Sequence, residues 1–121
     1  MTKSERKELN ALLHELLRLR DKSCLRCGNP EFQLSHVKPK GKYRKLEFDS
    51  KNILALCFSC HLGWWHKDVT EAGEWFEEKY PERYKYLLLR SQASGQGTRN
   101  YKLLKVFISE EIKKYGTITH K

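Results

Sequence analysis

No long apolar run occurs anywhere in this 121-residue chain, which excludes a membrane-spanning helix and leaves a soluble, folded protein as the expectation. The opening MTKSERKE has no apolar segment of the kind an export signal needs, so the expected location is cytoplasmic. There is no internal repeat. Cysteine is limited to four residues, and without export these are metal ligands before they are disulfides. Acidic residues are scarce beside basic ones, 15 against 24. The resulting net charge of +9 favours a polyanionic partner such as nucleic acid, although a solvated basic surface alone would give the same count. A chain of this length forms one domain that buries only about two-thirds of its unfolded surface, so a structural metal would help it.

What is present divides the domain, residues 1–121, into three parts. Leu9, Leu12, Leu13, Leu16 and Leu17 recur at three- and four-residue intervals and predict an amphipathic helix over 4–20, started by a capping box of Thr2 and Glu5. His14 lies among those leucines as a structural or solvent-facing residue. Residues 24–67 hold both Cys-x-x-Cys pairs, with an alternating strand around Phe32–Val37 and a short apolar run, Ile53–Leu56, as a second strand. From Cys60 the chain is expected to turn helical. Residues 68–115 form a helical C-terminal part. Asp68 with Glu71 opens a helix burying Ala72, Trp75 and Phe76, and Pro81 breaks it before a second helix over 82–90. Ser94-Gly95-Gln96-Gly97 is the best linker candidate, and Tyr101, Leu104, Ile108 and Ile112 share one stripe of a last helix that Gly116 would end.

Cys24, Cys27, Cys57 and Cys60 supply four thiolates in two close pairs, which is the donor set of a closed, tetrahedral, structural zinc site. A redox motif would need only one such pair, next to a βαβ pattern that is not seen. With all four positions filled by sulfur, His61 has no place in that site. His61 at a helix start, His36 at a strand end and Asn52 between them surround the zinc knuckle, and neutral imidazole serves both as cation ligand and as base near neutral pH. The intervening loop is basic: Lys38, Lys40, Lys42, Arg44 and Lys45 are candidate phosphate contacts, with Tyr43 among them.

The order Cys-x-x-Cys, Ser35-His36, Asp49-Ser50-Lys51-Asn52, Cys57-x-x-Cys60-His61 resembles the HNH endonuclease family, over a little more than a third of the chain. The resemblance implies an α+β fold, a ββα-metal core braced by a four-cysteine zinc knuckle and flanked by an N-terminal helix and C-terminal helices. It implies DNA as partner and hydrolysis of phosphodiester bonds by an endonuclease or nickase. His36 would be the general base, Asn52 would hold the His36 loop, and His61 would ligate a catalytic divalent metal such as Mg2+ or Mn2+. Trp64-Trp65-His66-Lys67 is similar to small phage-encoded members. Many members carry an acidic metal ligand just before the first histidine, where this chain has Ser35, a weaker donor. Ser35 and His66 are therefore candidate additional ligands. On an α-helix His61 and His66 would point about 140° apart, so His66 is expected on the surface or behind the ligands unless Gly63 allows a bend. The alternative function is a zinc-knuckle nucleic-acid binder without catalysis, to which Ser35 points; a protein-interaction zinc module is disfavoured by the charge.

Overall fold

The leucine stripe of the first helix finds its partner near the other end of the chain. In the computed structural model, which describes residues 1–92 and 97–119, α1 spans Lys3–Arg20 and α5 spans Tyr101–Thr119. The Thr2 hydroxyl accepts from the Glu5 N–H at 3.0 Å while the Glu5 carboxylate accepts from the Thr2 N–H at 2.9 Å, so two donors orphaned at the helix start are satisfied. Leu9, Leu13, Leu16 and Leu17 are fully buried and pack with Leu104 and Ile108 of α5. The Tyr101 hydroxyl donates to the Glu8 carboxylate along the same seam.

Two strands, β1 (Gln33–His36) and β2 (Ile53–Leu56), pair antiparallel with Gln33 opposite Leu56 and His36 opposite Ile53. A two-stranded ribbon is marginal in water by itself. Here β2 is buried on both faces. Ile53 and Ala55 join the α1–α5 core, whereas Leu54 and Leu56 join a second core with Cys24, Cys57, Cys60, Trp64, Trp65, Phe76 and Leu87. Full burial of each leucine or isoleucine is worth roughly 1.5–3 kcal/mol, and β2 collects that on both sides.

The connection between the strands contains two single 3-10 turns, Arg44–Leu46 and Ser50–Asn52. After β2 comes a one-turn helix, α2 (Phe58–Cys60), which runs straight into a π-helical turn, His61–Trp65. Helix α3 (Val69–Lys79) follows, with the Asp68 carboxylate accepting from the Glu71 N–H at 3.2 Å. Pro81 opens α4 (Pro81–Gln92), where its missing N–H costs nothing. Two guanidinium groups tie this arrangement to the start of β2. Arg20 of α1 donates to the carbonyls of Ser50 (2.8 Å) and Ile53 (2.6 Å), and Arg83 of α4 to those of Lys51 (3.0 Å) and Ile53 (2.9 Å). Burial, with Arg20 nearby, lowers Arg83 to about 10, still charged at neutral pH. The segment bearing Asn52 is thereby clamped from two helices.

The chain is α+β, with five helices and one two-stranded antiparallel sheet among the described residues. None of the described helices is long and apolar enough to cross a membrane. One boundary differs from expectation: Gly116 does not stop the last helix, which continues to Thr119. A terminating glycine takes a positive φ, and among the described glycines only Gly28 and Gly97 do so, leaving Gly116 as an ordinary, mildly unfavourable helical residue. Ser94, Gly95 and Gln96 of the expected linker lie outside the described residues. Gly97 itself lies tightly against the chain, since a Cβ there would sit 2.6 Å from the Lys45 carbonyl oxygen.

Candidate active site and metal centre

The two cysteine pairs converge because their local turns are built for it. The Cys24 N–H bonds the Asn29 carbonyl and the Gly28 N–H the Cys24 carbonyl, both at 2.8 Å, with Gly28 at φ +83°, a value that favours glycine. The Leu25 N–H bonds the Ala55 carbonyl at 2.9 Å, which fastens this knuckle to β2. The second pair begins where β2 ends. All four sulfurs lie within 4.8 Å of one another. Sulfurs at ~2.3 Å from a tetrahedral zinc stand ~3.8 Å apart, and the Cys27 and Cys57 sulfurs are separated by 3.6 Å. Cys24, Cys57 and Cys60 are buried and Cys27 is exposed. Burial acts to raise the Cys24 thiol, but N–H groups of Cys57, Cys27 and Arg26 directed at its sulfur carry it down to about 7. Burial pushes the Cys60 thiol up to about 12 despite Arg26, whose guanidinium lies 3.8 Å from its sulfur. Four thiols so placed form a site able to hold a metal ion such as zinc, which would deprotonate them together.

Beside this cluster is a cavity of about 840 Å3 whose lining includes His36, His61 and His66, with Lys38 and Lys40. His36 ends β1. Its Nε2 lies 2.9 Å from the Glu47 carbonyl oxygen, and because a carbonyl only accepts, Nε2 carries the proton and Nδ1 keeps the lone pair. Burial holds His36 below the usual histidine pKa; the bond to Glu47 opposes this and the charge of Lys40 adds to it. At neutral pH the ring is a free base. Its backbone carbonyl accepts from the Trp65 indole N–H at 3.0 Å.

Asn52 is fully buried and spends its carboxamide on the loop after His36. Its Oδ1 accepts from the Lys38 N–H at 2.7 Å, and its Nδ2 donates to the carbonyls of Lys38 and Leu46, both at 3.0 Å. The Asn52 main chain adds a bond from the Val37 N–H at 2.8 Å. Aspartate could not make the two donations, so the amide is required here and not merely a polar group.

His61 and His66 meet, against the α-helical expectation. The turn between them is π-helical, closed by the His66 N–H on the His61 carbonyl at 3.1 Å, and a five-residue hydrogen-bond spacing returns the chain to the same face. Their Nε2 atoms lie 2.9 Å apart. The expectation that the two side chains point apart is therefore corrected, while His66 itself is exposed. His61 Nδ1 lies 2.8 Å from Gln33 Oε1, which accepts its proton and leaves the Nε2 lone pair pointing at His66. Burial, then the charges of His66 and His36, keep His61 below the ordinary histidine pKa.

Ser35 behaves otherwise. It is fully buried on β1, its hydroxyl has no hydrogen-bond partner, and it does not line the cavity, because alternate strand residues face opposite ways and His36 takes the cavity side. The position offers no ligand to the histidine pair. No carboxylate among the described residues takes its place in the cavity lining.

The nominated basic residues divide. Lys38 and Lys40 are at the cavity, and Lys42 lies with its ammonium 5.5 Å from the Tyr43 ring. Arg44 is exposed, and Lys45 lines a second hollow of about 450 Å3 with Lys51 and Arg90. Two contributors escape sequence inspection. Gln33 orients His61 across 28 residues, and Glu47 holds His36 by its carbonyl while its carboxylate pairs with Arg6 and, at 3.0 Å, with Arg99. Alternation along β1 places Gln33 on the side of Ser35 and not of His36, so no sequence signal points to the first. The chain matches no protein-family model, no curated protein and no solved structure.

Proposed function

We propose that the protein is a metal-dependent DNA endonuclease or nickase of the HNH type, with zinc in the four-cysteine site. The observation that carries it is the gathering in one cavity of a histidine with a free, basic Nδ1 and two histidines whose Nε2 atoms converge at 2.9 Å. Nitrogens ~2.1 Å from one cation and at right angles to each other stand ~3 Å apart, so His61 and His66 fit a divalent ion with octahedral preference. Bound there, such an ion supplies Lewis acidity toward a phosphate and its leaving oxygen. His36 takes the proton of the attacking water on Nδ1 while its Nε2–H stays on the Glu47 carbonyl. Asn52 keeps the His36 loop at fixed register, and the charges of Lys38 and Lys40 draw the backbone in. Zinc contributes no chemistry and holds the second core together.

A second reading, DNA binding without cleavage, is favoured by the lack of a carboxylate in the cavity. One experiment separates them: purified protein with supercoiled plasmid and magnesium, manganese, zinc or nickel. Nicking that EDTA stops and His36→Ala abolishes, with DNA binding retained, is the expected result. A His36→Ala protein that cuts at the normal rate excludes the assignment.

A further inference from the structure

The histidine cavity is larger and more apolar than a phosphate requires. At about 840 Å3 it falls in the ~300–1,000 Å3 range of pockets that enclose whole organic ligands. Its apolar lining includes Val37, Val69 and Tyr84, which are at least partly accessible, over Phe76 and Leu87 of the buried core. Gly73 of α3 also lines it, and a Cβ built there would meet nothing within 4 Å, so the wall is open at that point. A phosphodiester in ordinary duplex would touch the histidines and the lysines and leave Val37, Val69 and Tyr84 uncovered. Its bases are stacked inward and cannot reach them. A nucleotide whose base has left the stack can present sugar and phosphate to His36 and the base to Tyr84, Val37 and Val69, where base–aromatic stacking is favourable whatever the base.

Resting on the nuclease reading above, we propose that the apolar lining of this cavity receives an unstacked nucleobase, so that the substrate is DNA with an unpaired nucleotide beside the scissile phosphate. Duplex DNA must spend a few kcal/mol on unstacking before it fits, and single-stranded, bulged or mismatched DNA spends little. Selectivity for unpaired sites then needs no base-specific contact.

The test measures binding by fluorescence anisotropy in the His36→Ala protein, which does not consume its ligand. Three labelled probes are compared: a perfect duplex, the same duplex with one extra unpaired thymidine, and that bulge with the thymine base removed. The bulge bearing a base is expected to bind roughly tenfold tighter than the perfect duplex, with the base-free bulge close to the duplex. Gly73→Leu, which fills the open wall, should bring the bulge back to the duplex level and leave duplex binding unchanged. Tyr84→Ala should do the same and decides the matter if Gly73→Leu does not fold. Equal binding of all three probes, equal preference for both bulges, or discrimination that survives both variants would overturn the base pocket while DNA binding stands. No binding to any probe would overturn the nuclease reading as well.

Discussion

His36 loses proton affinity to burial, regains part of it from the Glu47 carbonyl, and loses more to Lys40. The net lowering fixes a sign. The base-competent neutral ring persists below the ordinary histidine value of ~6.5, so the acid limb of a cleavage-against-pH profile should fall below that pH. Removing the Lys40 charge with Lys40→Gln should move the limb up in pH; a limb that stays put or moves down would show that Lys40 does not act on His36. The same shift makes the folded state lose stability as pH falls through and below the ordinary value, because the unfolded chain binds the proton more tightly. Residues of this kind were unevenly legible. Cys24, Cys27, Cys57 and Cys60 announce themselves by local spacing, and Asn52 by its place in the quoted pattern. Glu47 and Gln33 act through contacts 11 and 28 residues distant, and no local pattern encodes those.

Among the elements, helices and strands followed their periodicity closely, since buried leucines at three- and four-residue spacing leave little choice of face. The π turn at His61–Trp65 does not, because its wider hydrogen-bond spacing departs from the 3.6-residue repeat. A π turn is equivalent to one residue inserted into an α-helix. Deleting Gly63, whose surroundings are open, should therefore relax the turn to α and leave the two histidines four apart on one face. Titration with manganese or nickel, monitored by calorimetry, should show the deletion keeping most of the affinity at the histidine pair. His66→Ala should lose it. A deletion variant that binds metal no better than His66→Ala would mean that the π geometry itself is needed.

For the whole molecule, the two faces of β2 separate two cores with different supports. All three tryptophans belong to the cysteine side, Trp64 and Trp65 buried in it and Trp75 packed against it, while α1 and α5 form the other. Metal binding at a structural zinc site is worth on the order of 10 kcal/mol, more than most small domains have in total. Stripping metal with a strong chelator, or Cys27→Ser, should shift tryptophan emission to the red while the far-ultraviolet helical signal falls only in part. Folded protein that metal analysis finds free of zinc would refute the assignment of the site. The separation also dictates an order of assembly. The cysteine-side core draws its buried members from Cys24 to Leu87, whereas the seam between α1 and α5 joins residues 93 positions apart, Glu8 and Tyr101. During synthesis the leucine face of α1 is covered only in part, by Phe32, Phe48, Ile53 and Ala55, until α5 has left the ribosome. Helix α1 is thus fully covered only after the rest of this fold has been made, and the growing chain is most open to aggregation there.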